Sequence, residues 1–85
     1  MKSRDVLSTV RDRTGLNNSL VARKVGMTPQ AAGRVMKASG VTLENAVRFL
    51  EAMGYTLYAV PSSLHVEAIS DEAIKIEPEE RKEKE

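Results

Sequence analysis

The side chains of this chain that could do chemistry are mostly cations, and they are unevenly placed. Residues 1–48 carry nine of them, Lys2, Arg4, Arg11, Arg13, Arg23, Lys24, Arg34, Lys37 and Arg48, against Asp5, Asp12 and Glu44, a net of +6. Residues 49–85 carry Lys75, Arg81, Lys82 and Lys84 against nine acids, a net of −5, so the overall charge of +1 conceals a dipolar chain. A surface that is merely solvated mixes its signs, whereas a domain that neutralises phosphates gathers positive charge beside the element that makes contact. Other chemistry finds little support. The sequence has no glycine loop to cradle a phosphate, no nucleophile beside a base and no cluster of metal-ligand residues, and its carboxylates concentrate toward the C-terminal end. His65 is the only histidine, with no second ligand type nearby, and is expected on the surface. A binding protein without cofactor or metal is therefore expected, not an enzyme.

Eighty-five residues make one small domain, near the size at which a single core is only marginally sufficient and association helps. With no cysteine there is neither a disulfide framework nor a thiolate metal site, and a reducing cytoplasm is the natural compartment. Apolar runs are only a few residues long, and residues 1–10 have no apolar signal-peptide core, so no membrane segment is expected.

The element at the centre of the basic half is the stretch 17–39, NNSLVARKVGMTPQAAGRVMKAS. It predicts two short helices joined by a tight turn. The first runs over 18–25, capped by Asn17 or Asn18, and Gly26 closes it in the left-handed backbone that a helix end favours, with Met27 folding back as an apolar plug. Thr28 caps the second helix and Pro29 opens it, at the position where a missing N–H loses nothing. Val21, Ala22 and Val25 on the first helix and Ala32 and Val35 on the second give each an apolar stripe. Small Ala22 and Ala32 let the helices cross closely and steeply around the turn.

With Leu16, Asn17, Val21, Ala22, Lys24, Val25, Gly26, Thr28, Gln30 and Val35 in the pattern L-N-x-x-x-(V/L)-A-x-K-V-G-x-T-x-Q, the stretch resembles the phage-repressor helix-turn-helix family, the Cro/cI-like or XRE proteins. The likeness extends over roughly residues 5–60. It implies a second helix lying in the major groove of double-stranded DNA, its first turns toward the base edges. On that pattern Gln30, Gly33, Arg34 and Lys37 face the groove. Gln30 can pair bidentately with adenine, Arg34 can fork onto guanine, and Ala31 can touch a thymine methyl. Asn17, Asn18, Thr28, Arg11 and Ser39 are the implied phosphate contacts, which set register without reading sequence. The chain also departs from the family: Pro29 stands at a commonly polar, base-reading position, Met36 where an acid that would pair with Arg11 is frequent, and Leu20 where a polar residue is usual. Gly33 weakens its helix by about 1 kcal/mol relative to alanine.

The flanks complete a four-helix domain over residues 3–54. Ser3 is the expected cap of a helix over 4–14, with Val6, Leu7 and Val10 inward, Gly15 as its stop, and Arg11 and Arg13 near the negative end of its dipole. Thr42 caps a helix over 43–53 whose stripe is Leu43, Ala46, Val47, Leu50 and Met53, ended by Gly54. Phe49 stands off that stripe, either closing a dimer or covering the core's edge. At 55–60, YTLYAV, the period changes to that of a strand, ended by Pro61. One strand cannot satisfy its own backbone. It can pair with its copy across a two-fold axis, placing Tyr55, Leu57, Tyr58 and Val60 in a homodimer interface with Phe49, or form a hairpin through Pro61-Ser62-Ser63 with residues 64–69. Residues 55–69 are thus the expected dimerisation segment and 70–85 a charged, disordered tail, in which Ser70 can cap one turn and Ile74 and Ile76 are the only apolar anchors.

The expectation is therefore a mainly α protein, a repressor-like helix-turn-helix domain followed by a strand or hairpin that pairs across a homodimer. The resemblance implies a transcriptional regulator, from a bacterium or its mobile elements, that binds a pseudo-palindromic operator. Small proteins with this motif, one strand and a polar tail also look like antitoxins, in which the C-terminal half would hold a toxin protein.

Overall fold

A computed structural model describes residues 1–65 and 70–78, and within them four helices: α1 (Ser3–Thr14), α2 (Asn18–Val25), α3 (Pro29–Lys37) and α4 (Leu43–Ala52). The described part of the chain is thus mainly helical, without a sheet; its one β-bridge is an isolated parallel pairing of Lys2 with Glu77. The second half of the expected hairpin falls largely on residues 66–69, and much of the expected disordered tail on 79–85, both outside the described residues.

Local chemistry sets the helix boundaries. Asn17 Oδ1 accepts from Leu20 N–H at 2.9 Å, Thr28 Oγ1 from Ala31 N–H at 3.1 Å and Thr42 Oγ1 from Asn45 N–H at 3.1 Å, each satisfying a donor that the first helical turn leaves orphaned. Gly26 closes α2 at φ 78°, and Met27 N–H reaches back to Ala22 C=O at 2.9 Å. At α1 the expected cap is wrong by one residue. Lys2 holds the cap position with no side-chain hydrogen bond, Ser3 is already helical, and the Ser3 N–H donates to Glu77 C=O at 2.9 Å. A distant backbone carbonyl has replaced the local side chain.

The helices enclose one apolar core in which α3 packs on α1 and α2, and α4 on the same two. Val6, Leu7, Val10, Val21, Ala22, Val25, Ala32, Met36, Phe49, Leu50 and Met53 are buried. Two of these correct the sequence reading. Phe49 is 0% exposed, at the centre of the core and not on a dimer surface, whereas Leu43 is 72% exposed. The inward face of this helix and its cap is therefore turned toward 49, 50 and 53, because the large aromatic gains more from burial than the leucine at the helix's first position. Likewise Met36 is buried and Val35 only half-buried, so a flexible thioether takes the interior position.

Beyond Gly54 (φ 87°) the chain runs along the core without regular structure. Tyr55 and Leu57 pack against the core while Thr56 and Tyr58 are exposed, the alternation of a strand, but residues 55–60 form no ladder among the described residues. Leu64 N–H closes a turn on Pro61 C=O at 3.0 Å. Residues 70–78 then return to α1: Ser70 Oγ accepts from Glu72 N–H, Ile74 packs on the core, and Glu77 N–H donates to Met1 C=O at 2.8 Å. This part of the charged segment is a strap across the start of α1. Among the described residues no helix is long and apolar enough to cross a membrane.

Candidate nucleic-acid interface

The outer surface of α3 is built by what its inner surface must do. Ala32 and Met36 are buried, which fixes the rotation of the helix and leaves Gln30, Arg34 and Lys37 exposed at i, i+4 and i+7, one stripe facing solvent. Ala31 and Gly33 flank that stripe, both half-buried. The backbone of Gly33 runs close to α2: a Cβ added there would lie 3.4 Å from Asn18 Nδ2. Of the five residues expected to read bases, three therefore form the exposed face and two border it.

Among the described residues the charge around this stripe is uncompensated. No carboxylate occurs between Asp12 and Glu44. Among the described residues Arg23, Lys24, Arg34 and Lys37 make no hydrogen bond or ion pair, and all four are exposed on α2 and α3. By contrast Arg48, which no sequence feature singles out, is engaged: its Nη2 donates to Val25 C=O at 2.7 Å, capping the negative end of α2 from α4. Orphaned carbonyls at a helix end demand some donor, but nothing in the sequence says that it comes from 23 residues away.

The five expected phosphate contacts separate into two groups. Asn17, Thr28 and Ser39 are exposed. Asn17 and Thr28 use an oxygen as an internal acceptor in their caps and keep donors, the Asn17 Nδ2 hydrogens and the Thr28 hydroxyl, for solvent, which is the polarity that an acceptor-only phosphate requires. Arg11 and Asn18 instead hold each other, Arg11 Nη1 donating to Asn18 Oδ1 at 2.7 Å. Arg11 is further tied to Asp12 Oδ1, by Nε at 3.1 Å and Nη2 at 3.0 Å, so it is not a free cation.

Elsewhere, a cavity of about 470 Å³ lies over Val6, Val10 and Leu50, between the segments 55–65 and 73–76. Its rim carries the exposed apolar residues Tyr58, Val60, Leu64 and Ile76, and His65 lines it. Of the expected dimer contacts, Tyr58 and Val60 are thus exposed, Tyr55 and Leu57 lean on their own core and Phe49 is inside it. Among the described residues no three histidine or acidic side chains converge as metal ligands. No protein-family model matches the chain, and neither a curated protein nor a solved structure matches it.

Proposed function

We propose that this protein is a cytoplasmic, sequence-specific binder of double-stranded DNA that acts as a homodimeric transcriptional repressor, with α3 as its recognition helix. One observation carries the proposal: Gln30, Arg34 and Lys37 stand exposed on one face of a helix anchored by buried Ala32 and Met36, amid cations that have no partner among the described residues. Gln30 pairs with adenine N6 and N7, and Arg34 with guanine O6 and N7, each pair worth about 1–3 kcal/mol of discrimination. Asn17, Asn18, Thr28 and Ser39 donate to phosphates on either side of the groove. The segment 55–60, which forms no ladder among the described residues, and its exposed Tyr58 and Val60 support pairing with a second copy, which sets two recognition helices about 34 Å apart on a pseudo-palindrome and blocks a promoter there.

Selection of bound duplexes from a random pool at near-physiological salt tests this. The expected result is an enriched palindrome with half-sites about one helical turn apart. Arg34→Ala should then relax preference at one base pair of each half-site by about 1–3 kcal/mol, and an equal loss on every sequence would remove its base-reading role. Enrichment of nothing would shift weight to an antitoxin reading, which the apolar rim of Tyr58, Val60, Leu64 and Ile76 favours. Retention of a neighbouring gene's product by the full chain, but not by one ending at Ser63, supports that reading.

A further inference from the structure

Arg11 sits where α1 ends and α2 begins, and three of its N–H donors are already used inside the molecule. A guanidinium has donors only, so the atom of Asn18 that faces it must be the amide oxygen. The opposite end of that amide, Nδ2, then points to α3, where it has no acceptor among the described residues and where Gly33 contributes no side chain to cover it. Asp12 fixes the other side of the guanidinium and offsets its charge.

We infer that Arg11 is a positioning residue, which locks the Asn18 amide with its Nδ2 hydrogens aimed at a DNA phosphate beside Gly33, and does not itself neutralise a phosphate. The inference rests on the DNA-binding proposal. It follows from the contacts that Arg11 makes: a cation already offset by a carboxylate 3.0 Å away releases no further counterion when DNA arrives, whereas an amide whose oxygen is already held binds with less ordering to come. Gly33 belongs to the same device, because a methyl group there would meet Nδ2 at 3.4 Å and stand between it and an approaching phosphate.

The salt dependence of DNA affinity separates this role from direct contact. Arg11→Gln should weaken binding to all sequences by about tenfold per half-site, the loss expected for one hydrogen bond to a charged group, with the slope of log affinity against log salt unchanged. In an Asn18→Ala background it should cost nothing more. A slope shallower by about 0.9 per half-site, or losses that multiply, would overturn the inference, because Arg11 would then be a phosphate ligand in its own right. Arg11→Lys guards against a misfolded glutamine variant: it keeps the charge but not the fork, so the same tenfold loss is expected, and full retention of affinity would also overturn it. A wild-type protein that binds no duplex would instead fail the DNA-binding proposal, and the clamp is then judged without DNA. The Asn18 side-chain amide resonances should be well dispersed and lose that dispersion in Arg11→Gln; if they are unchanged, the clamp does not exist.

Discussion

The stretch from Asn17 to Lys37 and the segments 55–65 and 70–78 rest on the same core but are held to it by different kinds of bond. In the first, the defining bonds span three to five residues: Leu20 to Asn17, Ala31 to Thr28, Met27 to Ala22. In the second they reach across the chain, from Glu77 to Met1 and Ser3, and from Arg13 to Glu72 C=O, 59 residues away. A turn made by its own residues is specified before the core forms; a strap exists only after there is something to lie on. The basic α2–α3 pair is therefore expected to present a rigid face, and the acidic strap to open without disturbing it. Substitutions should separate the two regions unless they strike the core that both share.

The largest effect is expected there. Phe49→Ala removes the largest fully buried side chain and should cost about 3–5 kcal/mol, lowering the melting temperature by more than about 12 °C or abolishing a cooperative transition, read by circular dichroism. Leu43→Ala, at an exposed position on the same helix, should stay within about 0.5 kcal/mol. The reverse ranking would mean that α4 is rotated as its leucine pattern suggested, with Phe49 free to meet a partner.

That pattern marks where sequence alone fell short. The caps Asn17, Thr28 and Thr42 and the stops Gly15 and Gly26 were legible because each works on its immediate neighbours, while α4 ends one residue early, with Met53 and not Gly54 at its C-cap. So were Val6, Leu7, Val10, Val21, Ala22 and Val25, whose spacing allows one inward face. The choice of Phe49 over Leu43 was not, since it is decided by the volume left between α1 and α2. Arg48 on Val25, Ser3 on Glu77 and Arg11 on Asn18 were hidden for a related reason: a donor's residue type says what it needs, not which distant acceptor will be brought to it. Of the candidate interface, the exposed stripe Gln30–Arg34–Lys37 was readable, and the internal engagement of Arg11 was not.

The same substitution should have opposite signs at two glycines of the local region. Gly26 sits at φ 78° with open space around it, so Gly26→Ala carries a pure backbone cost of about 1–2 kcal/mol. Gly33 lies within α3, so Gly33→Ala should stabilise by up to about 1 kcal/mol through helix propensity, provided Asn18 yields slightly to the new methyl. Thermal melts of the two variants check both signs. Destabilisation by both would show that the Asn18–Gly33 contact cannot relax.

The strap should respond in its own residues only. Glu77→Pro deletes the N–H that donates to Met1 C=O at 2.8 Å, a loss of about 1 kcal/mol. Hydrogen exchange should then quicken at the Ser3 amide, which depends on Glu77 C=O, while the Leu20 and Met27 amides keep their protection. Quickening at all three would mean that the strap and the α2–α3 pair open together, and the contrast between them would dissolve.

Glu77→Gln should do the least, and it isolates what holds the strap. The Glu77 carboxylate lies 3.7 Å from the Met1 ammonium, with the Met1 side chain partly and the Glu77 side chain about half exposed to water, a geometry in which solvent and salt screen most of the attraction. The backbone of Glu77, by contrast, both donates to Met1 and accepts from Ser3, and glutamine keeps that backbone intact. Exchange at the Ser3 amide should therefore match the wild type, and raising the salt to about 1 M, where screening acts within about 3 Å, should not change it either. If Glu77→Gln frees Ser3 as fully as Glu77→Pro does, the strap is an electrostatic contact between the acidic and basic halves of the chain, and its closure would follow ionic strength.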